Sequence, residues 1–141
     1  HLTGRDPDYG IKDYDLGYHD PADISYEAED VVIRRVAAAF APPLREMVEV
    51  RNQARVHLWY QGKFGGAYSP LLKVTDGIDR YLIRSTCLGV DVCTGTLYST
   101  HGLHDLQHDL LNMNELNPRP GLFREKAASY RERWPWLVLV E

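Results

Sequence analysis

The pair Pro42-Pro43 sets a hard limit on the local fold, because a proline offers no backbone N–H and its ring collides with the preceding helical turn. Any helix arriving from upstream must end there. From Ser25 to Phe40, Val32, Val36 and Phe40 at i, i+4 and i+8, with Ile33 and Ala37 beside them, predict an amphipathic helix. Ser25 or Asp23 can cap its start, and Glu27, Glu29 and Asp30 suit the positive end of its dipole. On either side of this helix the period falls to two. Gly10 to Tyr18 alternates Lys12, Tyr14, Leu16 and Tyr18 against Ile11, Asp13, Asp15 and Gly17. Glu46 to Arg51 sets Val48 and Val50 against Met47, Glu49 and Arg51. The stretch reads strand, helix, strand, with two carboxylates on one face of the first strand and an acid between valines on the second.

Beyond it the signals are shorter. Arg51 to Gln61 predicts a short helix or turn, then a loop where the glycines of Gly62 to Gly66 break the pattern. Ile78 to Ile83 reads as the end of a helix and Thr86 to Val92 as a strand. Leu103, Leu106, Leu110 and Leu111 predict a helix from Leu103 to Asn112. Phe123 to Trp134 reads as a basic helix, followed by an aromatic, apolar tail that needs a surface to pack on. No repeat or linker divides the 141 residues. Strands and helices that alternate without the regularity of a dinucleotide-binding fold predict one α+β (α/β) domain over residues 1-141.

Composition narrows the partners. No apolar run approaches the ~20 residues that span a bilayer, and no N-terminal segment has the form of a signal peptide. A membrane protein is not expected. Sixteen Lys and Arg against 20 Asp and Glu give a net charge of −4, which disfavours a long nucleic acid as partner, since such partners demand a basic track. Cys87 and Cys93 form no CxxC set and read as reduced thiols of a cytoplasmic protein.

Asp13-x-Asp15 has the spacing hard divalent cations need, because a strand projects residues i and i+2 to one face. Asp6-x-Asp8 repeats the spacing, so placement on an alternating strand, rather than the dipeptide, singles out the first. Glu49, on a neighbouring strand, is the natural third carboxylate. A competing metal reading comes from His101, His104 and His108, because His104 and His108 stand at i, i+4 on a helix, where Asp105 or Asp109 could complete a zinc set. The order HDLQH lacks the Glu of HExxH, and the bland reading is a solvated polar face. His19 and His57 are expected to be hydrogen-bonded structural histidines. No nucleophile elbow, Walker-type loop or GxGxxG occurs.

The order of motifs carries more than any one of them: KDYDLGYHD at 12–20, VEVRNQARVHLWY at 48–60, TCLGVDV at 86–92, GLHDL at 102–106, NPRP at 117–120 and WPWL at 134–137. This series resembles a bacterial nucleotidyltransferase-like family of the DNA polymerase β-like superfamily, over nearly the whole chain. The resemblance implies a mixed sheet flanked by helices, with Asp13, Asp15 and Glu49 as three metal-binding carboxylates on adjacent strands. It also draws Lys12, Asn52, Gln53, Arg55 and His57 into a nucleotide site, and gives Asp20 the turn after the first strand. The alternative for the polar run is a helix start satisfied by amides and held by an Arg salt bridge. The superfamily's Gly-Ser element, whose helix N-terminus binds triphosphate, has no counterpart in His1 to Gly10. The expectation is therefore a chain lacking the family's N-terminal strand and helix, or one that has lost the triphosphate cradle.

The implied activity is Mg²⁺ (or Mn²⁺)-dependent transfer of NMP from an NTP to an acceptor hydroxyl. The alternative is a non-catalytic nucleotide- or partner-binding module of the same fold, docking through an exposed Trp134-Pro135-Trp136 tail.

Overall fold

The computed structural model describes residues 4–140. Contacts gather into two compact units, one reaching Val74 and one starting at Thr75.

In the first unit, β1 (Tyr14–Tyr18) leads through α1 (Tyr26–Ala37) and a short α2 (Leu44–Met47) to β2 (Val48–Asn52). A 3-10 turn (Gln53–Arg55) and α3 (Val56–Phe64) follow. β1 and β2 pair in parallel, from Tyr14↔Val48 to Tyr18↔Asn52. Parallel neighbours need a crossover, and α1, packed against β2, is part of it. The strand expected from Gly10 starts at Tyr14, because its ladder partner Val48 is the first residue after α2 and a helical turn offers no further edge. The same turn displaces the second strand, expected from Glu46, to Val48–Asn52.

α1 follows its sequence signals closely: Ser25 Oγ accepts the Ala28 N–H at 3.2 Å, and the helix ends at Ala37, ahead of Pro42-Pro43. Val32, Val36 and Phe40 are half-buried. Its one fully buried side chain is the acid Glu29, 3% exposed. The buried apolar side chains of this unit, among the described residues, are Val50, Ala54, Val56 and Leu71. α3 runs on through Gly62 and stops at Gly65, whose φ of 69° suits a residue without Cβ.

The second unit takes up α4 (Val74–Ile78) from Thr75 onward and continues through a 3-10 turn (Arg84–Thr86), β3 (Leu88–Val90), β4 (Leu97–Ser99), α5 (His104–Gln107), β5 (Leu110–Leu111), α6 (Pro120–Arg133) and β6 (Val138–Leu139). β3 and β4 pair antiparallel, β5 and β6 parallel. Ile83, Leu111, Phe123 and Ala127 form the core, with Leu82, Met113, Tyr130, Leu137 and Leu139 packed on it.

One expectation is corrected here. The helix predicted from Leu103 to Asn112 is only His104–Gln107, because Asp109 takes φ 57° and the chain becomes extended to pair Leu110-Leu111 with Val138-Leu139. The apolar tail finds the surface it needs: Leu137 and Leu139 pack on the core, and Trp134 meets Tyr130 edge-on at 5.6 Å.

The α+β expectation holds, with the strands of the described residues in three two-stranded pairs. Among the described residues no helix is long and apolar enough to cross a membrane.

Candidate active site

The register of β1 against β2 places Asp15 directly beside Glu49. Adjacent strands lie about 4.8 Å apart, and register partners project to the same side. One face of the pair therefore carries Asp15, Gly17, Glu49 and Arg51, and the other carries Leu16, Tyr18, Val50 and Asn52. Burial agrees: Val50 and Asn52 are buried, whereas Asp15, Glu49 and Arg51 are exposed. Asp13 and Lys12, also exposed, lie just ahead of β1.

Arg51 adds a positive charge to this acidic face. Its Nη2 lies 3.4 Å from Glu49 Oε2, and its Nη1 donates to the Val50 carbonyl at 3.0 Å. Across the ladder from it stands Gly17, where an added Cβ would meet Val74 Cγ1 at 3.2 Å and Gln53 Cγ at 3.5 Å. The missing side chain lets Gln53 and Val74 close onto the strand. Sequence reading passed over both Arg51 and Gly17 as site residues. The signal was present, since each shares the alternation of an acid two positions earlier.

Among the described residues no group of three or more His, Cys, Asp or Glu side chains converges as a metal set. That finding bears on the acids and on the histidines differently. Mg²⁺ is commonly held by one or two carboxylates, with water and substrate phosphate completing its shell, so the oxygen donors of Asp15 and Glu49 fit it without a preformed cage. Zinc at the histidines would need such a cage. His104 and His108 stack at 4.3 Å, and His108 Nδ1 donates to the His104 carbonyl at 2.8 Å. Asp105, their expected companion, is buried, where Asn112 Nδ2 donates to it at 2.9 Å and Arg84 lies at 3.5 Å.

Behind the acidic face lies a buried clamp. Asn52 Oδ1 accepts the N–H of Asp20 at 3.0 Å and that of Ala54 at 3.1 Å, and its Nδ2 donates to the Asp20 carbonyl at 2.8 Å. Glu29 Oε1 accepts the Asn52 N–H at 2.7 Å, and Glu29 Oε2 pairs with Arg55. Arg55 Nε–H also reaches the Ile24 carbonyl at 3.0 Å. Asn52 and Arg55 are thus engaged inside the protein as an amide cap and a salt bridge. Burial, with the charges of Glu29 and Asp20, pushes the Tyr18 phenol up from its ordinary value. Reading Glu29 as a dipole acid missed its role, although its place three and seven residues before Val32 and Val36 puts it on the apolar stripe.

His19 donates through Nε2 to the Leu71 carbonyl at 2.8 Å, as a structural histidine does. His57, at the start of α3, has its Nδ1 sealed from solvent and no hydrogen-bond partner for it.

Residues 1–139 match the family model described as Nucleotidyltransferase. A solved structure described as "The NMR structure of the protein reveals a CCA-adding enzyme head domain" has a similar fold. The TM-score is 0.68 at 20% identity, with 93% of this chain and 69% of that chain covered. Comparison with curated proteins gives no match.

Proposed function

The chain belongs to the Nucleotidyltransferase family, and we propose that it transfers NMP from an NTP to an acceptor hydroxyl with a divalent cation held by Asp15 and Glu49, Asp13 lying just ahead of them on the chain. The acceptor oxygen forms a bond to the α-phosphorus, and the bond from that phosphorus to the bridging oxygen breaks. Pyrophosphate leaves with the electron pair, and the acceptor proton passes to solvent. The observation that carries this reading is the in-register pair of exposed carboxylates, Asp15 and Glu49, beside a guanidinium. When bound, Mg²⁺ or Mn²⁺ supplies neutralisation of phosphate charge and activation of the attacking oxygen. The chain's own residues orient and attract. Arg51 offsets the repulsion that two acids exert on an incoming triphosphate, and Lys12 adds a second positive charge ahead of β1. Gln53 and His57 would meet the nucleotide, with Asn52 and Arg55 holding the end of β2 behind them. The NTP pool agrees with a cytoplasmic site of action.

The test is calorimetric titration with each NTP, with and without Mg²⁺ or Mn²⁺, repeated on Asp13→Asn and Asp15→Asn. Metal-dependent binding in the parent, lost in folded variants, is the expected result. Binding that ignores both metal and substitutions sinks the enzyme reading in favour of a nucleotide-binding module. The unconverged acids are the observation that favours that second reading.

A further inference from the structure

Glu29 is a buried carboxylate that the proposed chemistry does not use, yet everything it touches bears on the ends of the two strands that carry Asp15 and Glu49. Its Oε1 holds the backbone N–H of Asn52, the last residue of β2, at 2.7 Å. Its Oε2 holds Arg55, which reaches back to the Ile24 carbonyl ahead of α1. Asn52 passes the constraint to the other strand, because its amide both accepts from and donates to the backbone of Asp20, at 3.0 and 2.8 Å. Those two bonds imitate one more ladder step beyond Tyr18↔Asn52. Glu29, Asn52 and Asp20 therefore tie α1, the end of β2 and the chain leaving β1 into one unit.

The geometry around the acids makes this tie consequential. β1 and β2 are five residues each and, among the described residues, pair only with one another, and a two-stranded ladder that short holds its register weakly by itself. Tyr18 and Asn52, the last register pair, lie the same distance along their strands from Asp15 and Glu49. A slip at the tied end is transmitted directly to the acids. Burying a carboxylate costs desolvation that an apolar side chain in the same stripe would not, so packing alone does not account for an acid here. An acid can fix the direction of the Asn52 N–H and of the Arg55 guanidinium; a leucine cannot.

We propose that Glu29 is a positioning residue that holds Asp15 and Glu49 in register so that one divalent cation meets both. The inference rests on the function proposed above. Its test is a double-mutant cycle on the full chain, with Mn²⁺ as the probe. Affinity is measured by calorimetry and stability by urea unfolding, for Glu29→Gln, Glu49→Gln and the pair. Glu29→Gln weakens Mn²⁺ binding about tenfold in the parent, as loss of a supporting partner around metal ligands commonly does. In the Glu49→Gln background the same change has little further effect on Mn²⁺, while the urea midpoint falls equally in both. Should Glu29→Gln fail to fold, Glu29→Leu with Arg55→Met removes both buried charges together. That double variant is expected to fold and to bind Mn²⁺ weakly.

Mn²⁺ affinity unchanged in a folded Glu29 variant, with only the urea midpoint moved, overturns the positioning role and leaves the function proposed above standing. Mn²⁺ binding that survives Asp15→Asn and Glu49→Gln unchanged removes the metal site itself, and the positioning role with it.

Discussion

Asp15 and Glu49 stand side by side in register on parallel strands, two like charges on one exposed face. Such neighbours repel; the Arg51 guanidinium, 3.4 Å from Glu49, offsets part of that repulsion, and a bound cation relieves more.

Asp15→Asn should abolish metal-dependent nucleotide binding while leaving the chain folded. Adding Mg²⁺ should raise the midpoint of the parent and leave that of the variant in place, because only a folded state that binds the ion is stabilised by it. Thermal melts with and without Mg²⁺ check both halves.

Asn52→Ala should destabilise the chain by about 3 kcal/mol, since it strips partners from the Asp20 N–H, the Asp20 carbonyl and the Ala54 N–H together. Asn52 is only 1% exposed, so water does not replace what is lost. Urea unfolding measures the loss. A change under 0.5 kcal/mol would show that the amide bonds are not needed.

Gly89 lies against Ile78: a Cβ built there sits 2.5 Å from Ile78 Cδ1. Gly89→Ala is expected to cost about 1 kcal/mol through overpacking. Ile78→Val, which removes that terminal methyl, should restore most of it in the double variant. Additive losses would place the cause elsewhere.

The two thiols should behave oppositely. Cys93 is exposed, whereas Cys87 is fully buried and its thiol is pushed up to about 11, first by burial and then by the nearby charges of Asp79 and Glu115. At pH 8 a thiol reagent should label one cysteine in the native chain and two after unfolding. The sign of the pH effect follows from the proton count. The unfolded thiol ionises near its ordinary value of 9.0 and the folded one near 11, so between these the folded state holds more protons. This contribution to stability is present below pH 9 and lost as pH rises toward 11, which urea unfolding across that range will register.

The sequence by itself determined what depends on neighbours along the chain. Ser25 and Pro42-Pro43 bounded α1, and the alternation of Glu49 with Val48 and Val50 assigned faces to β2, because caps, breakers and periods act over a few residues. The fold class and the order of the acids were legible for the same reason. Distant pairing was not. Nothing local says that α2 cuts the ladder at Tyr14↔Val48, or that Leu110-Leu111 leave a helical spacing to pair with Val138-Leu139. Glu29 is the sharpest case. As a residue of α1 it suits a helix dipole, and only the approach of Asn52 and Arg55, more than twenty positions later, makes it the buried centre of a clamp. Tertiary structure decided this because a buried charge is tolerable only where its partners converge, and convergence is a property of the folded chain.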